Sequence, residues 1–244
     1  MRAHVLIDLY VPARLGSPAE LQFVARKAGL DAIVRVAEDA SEAPTEAELT
    51  ELAPDGPSVL PAVAVSGPGF RFACVVPDGA PDLESLEATG DGRLVQTAIA
   101  GLGGLALPAA PRRGPTGTVA RRVWELDPSS KCGVVAMTVP GSLLGRDLDL
   151  EDTVIAERAV LGGSGPFATQ IGRFASLLPL RRHAGAEKGL SSRELVDALS
   201  LGRGFAVELL PRASEGVIHT PDPNEGREDA EPEHKRRRRR RRKS

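Results

Sequence analysis

Short aliphatic runs alternate with amphipathic segments along this chain, and the alternation predicts strands and helices in turn. The segment HVLIDLYV is apolar at nearly every position, as in a strand that is buried on both faces. Ser17-Pro18-Ala19-Glu20 then predicts a capped helix, which Gly29 ends. Repetition of this pattern predicts an α/β domain with a largely parallel sheet. Periodicity alone does not distinguish an open sheet from a closed barrel.

Seven further apolar runs predict strands, and two further amphipathic runs predict helices. The predicted strands are AIVRV, SVLPAVAVS, FRFACVV, LALPA, RRVWELD, GVVAMTV and FAVELL. The predicted helices are GRLVQTAIAGL, which ends at Gly103, and SRELVDALSLG, which Ser191 and Glu194 begin with a capping box. The tripeptide GPG between SVLPAVAVS and FRFACVV is a turn signal.

The last part of the chain differs from the rest in composition and charge. Residues 221–244 carry ten basic and six acidic side chains, a net charge of +4, which leaves −6 on the rest. These residues include no hydrophobic side chain larger than that of alanine, so they cannot bury enough apolar surface to fold. We therefore expect a folded domain over residues 1–212 and a disordered tail over residues 213–244.

Composition narrows the class of protein further. Hydrophobic residues make up 41% of the chain and aromatic residues only 3%, so the core is expected to be aliphatic. Two cysteines, Cys74 and Cys132, do not make a disulfide framework. The first residues, with Asp8 among them, make a poor signal peptide, and no apolar run is long enough to span a bilayer. These features predict a cytoplasmic protein, and the scarcity of lysine indicates a GC-rich bacterial genome.

Four segments resemble the PHP (polymerase and histidinol phosphatase) superfamily of metal-dependent phosphoesterases. They are GSPAELQFVARKAGLDAIVRV, GLGGLALPAAPRR, RVWELD and SSRELVDALSLGRGFAV, and the resemblance covers roughly the first 210 residues. It implies a PHP-like distorted (β/α)7 barrel, with the active site at the carboxyl ends of the strands.

The metal ligands of that family are missing at the matching positions. The family's Asp-Leu-His-x-His is Asp8-Leu9-Tyr10-Val11-Pro12 here, and its Ala-His-Pro is Ala106-Leu107-Pro108. The former metal-site positions are Asp8, Tyr10, Pro12, Ala37, Glu38, Ala64 and Leu107. A cluster of divalent ions needs many imidazole and carboxylate ligands, and without it nothing lowers the pKa of a water nucleophile. The resemblance therefore implies a pseudoenzyme, which has no catalytic residues, metal or other cofactor.

A metal-dependent phosphoesterase with a reduced site is the alternative. Asp8, Glu38, Asp39 and Glu125 fall near predicted strand ends, and carboxylates there suit a single Mg²⁺ ion. The same residues also suit helix caps or the solvent-facing starts of loops. No histidine accompanies them, which favours this second interpretation.

A run of nine adjacent cations is the strongest functional signal outside the predicted fold. It consists of Lys235, Arg236, Arg237, Arg238, Arg239, Arg240, Arg241, Arg242 and Lys243. Such runs bind polyanions by releasing counterions, without reading a base sequence. The sequence therefore predicts a binding or scaffold protein whose tail contacts nucleic acid, either DNA or RNA, or another polyanion. The barrel would offer a surface to a protein partner. The alternatives for the tail are folding back onto the acidic body or onto its own acidic stretch Glu228 to Glu233, binding to acidic lipid or to a protein partner, and no role at all.

Overall fold

The computed structural model describes residues 2–67, 70–77, 86, 90–111, 134–137, 160–164, 171–181, 189–202 and 204–209. All of them belong to one compact unit, Met1–Leu210. The predicted tail, residues 213–244, lies outside the described residues. So do the predicted strand RRVWELD and Cys132.

Nine strands form one mixed sheet among the described residues. In chain order they are β1 (Arg2–Pro12), β2 (Ala32–Ala37), β3 (Ser58–Gly67), β4 (Phe70–Val75), β5 (Leu105–Pro111), β6 (Val134–Met137), β7 (Val160–Gly163), β8 (Phe174–Arg181) and β9 (Phe205–Glu208). Their order across the sheet is β7-β6-β5-β4-β3-β2-β1-β8-β9. Strands β1 to β3 are parallel to one another, and so are β5 to β7. Strands β4 and β8 are antiparallel to both of their neighbours.

The helices of the described region are α1 (Pro18–Ala28), α2 (Glu46–Thr50), α3 (Gly92–Gly101) and α4 (Ser192–Ser200). The predicted capping boxes are confirmed, because Ser17 and Ser191 each accept from the backbone N–H three residues later. A third box, which begins at Thr45, starts the short helix α2. No helix of the described region is long and apolar enough to cross a membrane.

The predicted (β/α)7 barrel, with its largely parallel sheet, is wrong. Helices connect parallel strands only from β1 to β3 in the described region, whereas α3 and α4 connect antiparallel pairs. Strand β4 begins shortly after the end of β3 and pairs with it in the antiparallel direction. A connection this short cannot form a parallel crossover, which needs a dozen residues or more. Strand β7, at the end of the sheet, also contacts β1, β8 and β9, so the sheet curls into a half-barrel, which has few helices among the described residues.

The largest cluster of buried side chains among the described residues lies on the inner face of the half-barrel. This inner core includes Ile7, Leu9, Val34 and Leu178, and α4 packs into it through Leu195. On the outer face, α1 packs over β1 to β3 and α3 packs over β3 to β5. The strands therefore have apolar residues on both faces, which explains the continuous apolar runs in the sequence.

Gly162 allows β7 to lie close to β8. A Cβ atom at this position would lie 2.4 Å from the carbonyl oxygen of Ala175 on β8. The backbone N–H of Gly162 donates to Ser176 Oγ at 2.8 Å, which fixes the approach of the two strands. Any side chain at residue 162 would push β7 outward and open this end of the half-barrel.

Candidate functional site

Four polar side chains meet at the carboxyl ends of β1 and β2. We call Tyr10, Arg14, Glu38 and Arg71 the mouth cluster. Tyr10 lies near the end of β1, Arg14 in the 3-10 turn that follows β1, and Glu38 directly after β2. Arg71 is the second residue of β4, and the hairpin places the start of β4 beside the end of β3. Residues from three separate segments therefore share one end of the half-barrel.

Glu38 lies between two guanidinium groups. Arg71 Nη2 contacts Glu38 Oε1, and Arg14 Nη1 contacts Glu38 Oε2. The hydroxyl of Tyr10 donates to Glu38 Oε1 at 3.2 Å. It also accepts from Arg71, at 2.6 Å from Nη2 and 3.1 Å from Nε. Both carboxylate oxygens and the phenol oxygen are therefore engaged within the cluster.

The mouth cluster carries two positive charges and one negative charge at neutral pH. Burial raises the pKa of Tyr10 to about 12, although the nearby Arg71 guanidinium acts to lower it. Burial acts to lower the pKa of Arg71, but Tyr10 and Glu38 together raise it above its usual value. The phenol therefore stays protonated and the guanidinium stays charged near pH 7. Neither group is poised to act as a general base or a nucleophile.

A β-bulge in β1 places Tyr10 on the inner face. The pairing of β1 with β2 shifts register between Asp8 and Val11. Because of this shift, two successive residues, Leu9 and Tyr10, both enter the inner core. Asp8 stabilises the bulge, since its Oδ1 accepts a hydrogen bond from the Tyr10 backbone N–H at 3.2 Å.

Asp8 also joins β1 to the end of β7 and the start of β8. The backbone N–H of Ser164 donates to Asp8 Oδ1 at 2.9 Å, and that of Gly172 donates to Oδ2 at 3.1 Å. The Ser164 hydroxyl contacts the same Oδ2. Asp8 is fully buried, and this burial raises its pKa to about 6. The hydrogen bonds to Asp8, chiefly that from the Ser164 side chain, act in the opposite direction and lower the pKa. Asp8 is therefore a structural carboxylate, and we call Asp8, Ser164 and Gly172 the Asp8 junction.

The seven former metal-site positions do not form one site. Three of them lie in the inner core, namely Tyr10, Ala64 and Leu107. Ala37 lies in the outer core under α3, and Pro12 is buried at the end of β1. Asp8 is engaged in its own junction. Only Tyr10 and Glu38 among the seven are joined by a hydrogen bond between two side chains.

These residues do not fit the metal centre that the PHP resemblance implies. Both oxygens of Asp8 and both oxygens of Glu38 already accept from donors of the protein. The guanidinium groups of Arg14 and Arg71 would repel a divalent cation at the mouth. In the described part of the chain, no three His, Cys, Asp or Glu side chains lie close enough to hold a metal ion.

The carboxylates of the alternative Mg²⁺ site are not gathered by the described structure. Asp39 is exposed and accepts from the backbone N–H of Ser41 at 2.8 Å, which is the arrangement of a loop cap. Asp8 and Glu38 have separate partners, as described above. Glu125 lies outside the described residues.

Four residues of the site are not among the positions predicted from the sequence, namely Arg14, Arg71, Ser164 and Gly172. The sequence does mark Arg71, because it is the only charged residue in the apolar run FRFACVV. Its neighbours Phe70 and Phe72 belong to the outer core, so Arg71 points to the opposite face of the sheet. Ser164 has no such signal, since it is 156 residues from Asp8 and their contact depends on the curl of the sheet.

No protein-family model, curated protein or solved structure is significantly similar to this chain. The chemistry of the mouth cluster is that of an ion-pair network in which two guanidinium groups share one carboxylate. The nine tail cations, Lys235 to Lys243, lie outside the described residues.

EDTA is expected to leave the melting temperature of the full-length protein unchanged. The mouth cluster balances the charge of Glu38 with two guanidinium groups, so no bound cation is needed to stabilise this end of the sheet. Differential scanning fluorimetry with 5 mM EDTA, and with EDTA saturated by Ca²⁺ as the matched control, checks this. A fall of more than about 3 °C with free EDTA alone would reveal a stabilising metal.

Proposed function

We propose that this chain is a non-catalytic binding protein of the cytoplasm. Its half-barrel would act as a scaffold, and its arginine-rich tail would bind nucleic acid or another polyanion. The proposal includes an origin among the PHP phosphoesterases, for which the four resembling segments are the support. The mouth cluster is the main support for the absence of catalysis. It places a phenol and an Arg–Glu–Arg network at the end of the sheet where the metal ligands are expected.

The chemistry of the mouth cluster supports this proposal. A hydrolase of this kind needs a nucleophilic water and a means of neutralising the phosphate oxygens. Tyr10 is held protonated, and the carboxylate of Glu38 is shared between two cations. The carboxylate of Asp8, also near this end, is fully buried and saturated with hydrogen bonds. None of these groups is free to activate water.

The charge distribution of the sequence supports the polyanion-binding part. The nine cations from Lys235 to Lys243 follow a body with a net charge of −6. A body of that sign repels nucleic acid, so the binding energy has to come from the tail. The run contains no aromatic residue on which bases would stack, which predicts binding without sequence preference.

The protein is expected to show no phosphoesterase turnover. Incubation with p-nitrophenyl phosphate and bis(p-nitrophenyl) phosphate, with Mn²⁺ or Zn²⁺ added, should release nitrophenol at the rate of the metal alone. The Glu38→Ala variant serves as the matched control. Turnover by the unmodified protein that disappears in this variant would establish the alternative, a phosphoesterase with a rearranged metal site.

A further inference from the structure

A cavity of about 460 Å³ lies at the end of the half-barrel opposite the mouth cluster. It is formed where β1 and β2 begin, beside the end of α1, the loop before β3 and the residue that precedes Ser191. Sites for small molecules commonly have volumes of about 300–1,000 Å³. We call it the N-terminal cavity, and nothing in the proposed function uses it.

The walls of the N-terminal cavity are held by buried hydrogen bonds. The buried side chain of Gln22 donates to the carbonyl oxygens of Ala53 at 3.1 Å and Pro57 at 3.0 Å. Its Oε1 accepts from the Ala53 N–H at 2.9 Å. A Cβ on Gly56 would lie 2.5 Å from Gln22 Nε2, so this loop needs glycine to pack closely. The loop is therefore pre-formed, which lowers the entropic cost of binding a ligand.

Groups of both charge signs face the cavity. Asp31 and Asp55 supply carboxylates, and Arg26 supplies a guanidinium. Asp31 is fixed in place, because its Oδ2 accepts from the Leu6 backbone N–H at 2.8 Å. The carboxyl end of α1, at Gly29, also lines the cavity, and the negative end of a helix dipole favours a cation. Arg26 makes no ion pair with any described residue.

The rest of the cavity lining is largely aliphatic, with His4 beside it. Val5, Leu30 and Leu190 line it, and Leu190 is fixed by a hydrogen bond from its N–H to Ser58 Oγ at 2.7 Å. An apolar surface beside charges of both signs is complementary to a molecule that carries an ammonium group, an anionic group and an aliphatic side chain.

We propose that the N-terminal cavity binds a small zwitterion of the α-amino-acid type. The two carboxylates, Asp31 and Asp55, and the end of α1 bind the ammonium group. Arg26 binds the carboxylate of the ligand, and its aliphatic side chain packs against Leu30 and Leu190. A ligand without an ammonium group loses the contacts with Asp31 and Asp55, and a ligand without a carboxylate loses the contact with Arg26.

L-Leucine is the probe, because its isobutyl group suits the aliphatic wall. Isothermal titration calorimetry with the full-length protein should give a dissociation constant below about 10 mM. Two analogues each lack one charge: 3-methylbutylamine has no carboxylate and 4-methylpentanoate has no ammonium. Each should bind at least about tenfold more weakly than leucine. Absence of leucine binding up to 20 mM would overturn the proposal, and so would equal binding of either analogue.

Two variants locate the binding within the cavity. Arg26→Gln and Asp31→Asn should each weaken leucine binding by about tenfold or more, since each removes one charged partner. Lys27→Gln and Glu46→Gln are the matched controls, because each removes one exposed charge outside the cavity and should leave binding unchanged. Arg26 is exposed on α1, so its variant is expected to fold. Binding by Arg26→Gln as tight as that of the unmodified protein would place the ligand elsewhere and overturn the assignment.

Discussion

Deletion of residues 235–244 is expected to abolish the binding of nucleic acid by this protein. The nine cations of the deleted run would contact about five to nine phosphates, and each contact on duplex DNA releases about 0.9 counterion. The logarithm of the affinity of the full-length protein should therefore fall against the logarithm of salt concentration with a slope of about −4 to −8. Between 50 and 200 mM salt this is a loss of about 10²- to 10⁵-fold. Fluorescence anisotropy with labelled 20-mer DNA and RNA measures it.

Two charge variants separate charge from guanidinium chemistry in the tail. Replacing Arg236 to Arg242 by lysine should retain most of the affinity, because a point charge suffices for a phosphate contact. Replacing the same seven residues by glutamine should reduce binding as the deletion does. If the truncated protein binds DNA and RNA as tightly as the full chain at moderate salt, the tail is not the anchor. Binding to acidic lipid vesicles but not to nucleic acid would favour the lipid alternative.

Replacement of Asp8 by alanine is expected to lower the free energy of unfolding by about 3–5 kcal/mol at pH 5. The change removes the acceptor of three backbone N–H groups and of the Ser164 hydroxyl, all buried. Each unsatisfied buried donor costs about 1–3 kcal/mol, and partial relaxation lowers the sum. Because the junction joins β1 to β7 and β8, the substitution weakens the contacts among these three strands. Urea unfolding followed by circular dichroism measures it.

The deficit of the Asp8→Ala variant should shrink as pH rises. The pKa of Asp8 is about 6 in the folded protein and ordinarily 3.8. Between these values the folded state holds a proton that the unfolded state has released, so the contribution of Asp8 falls with rising pH. This stabilising contribution is fully present below pH 3.8 and lost above pH 6. The difference between the two pKa values corresponds to about 3 kcal/mol of unfolding free energy. Between pH 5 and pH 7.5 we expect the deficit to decrease by about 1–2 kcal/mol.

Asp197→Ala is the matched control for this series. Asp197 is exposed on α4, and its removal should change stability by less than about 0.5 kcal/mol at either pH. Ser164→Ala removes the hydroxyl that contacts Asp8 and accepts from the Gly172 N–H, but leaves the three backbone donors to Asp8 in place, and should cost about 1–2 kcal/mol. If the deficit of Asp8→Ala grew with rising pH, the carboxylate would be stabilised in its charged form and the raised pKa would be refuted.

Local elements of this protein were predictable because the contacts that define them span few residues. The capping boxes at Ser17 and Ser191 form within one helical turn, so the sequence spells out both partners. Strands such as β2 and β4 are recognisable from their apolar runs alone. Strands β7 and β8 were not predicted: VLGG is short and half glycine, whereas FASLLPLR carries a recognisable apolar run that was missed.

The site could be predicted only in part, for a related reason. The former metal-site positions include Tyr10 and Glu38, which do belong to the mouth cluster. Their cationic partners, Arg14 and Arg71, follow from the 3-10 turn after β1 and from the antiparallel direction of β4. A parallel β4 would have carried Arg71 to the opposite end of the sheet, away from Glu38.

The amino-acid pattern alone settles the aliphatic core, the capped helices and the charged run from Lys235 to Lys243, since each depends on composition or on near neighbours. The tertiary structure decides the direction and order of the strands, and with them the half-barrel in place of a closed barrel. It also decides the Asp8 junction, whose partners lie 156 and 164 residues away. Strand pairing over such distances depends on the packing energy of the whole sheet, and no local segment contains that quantity.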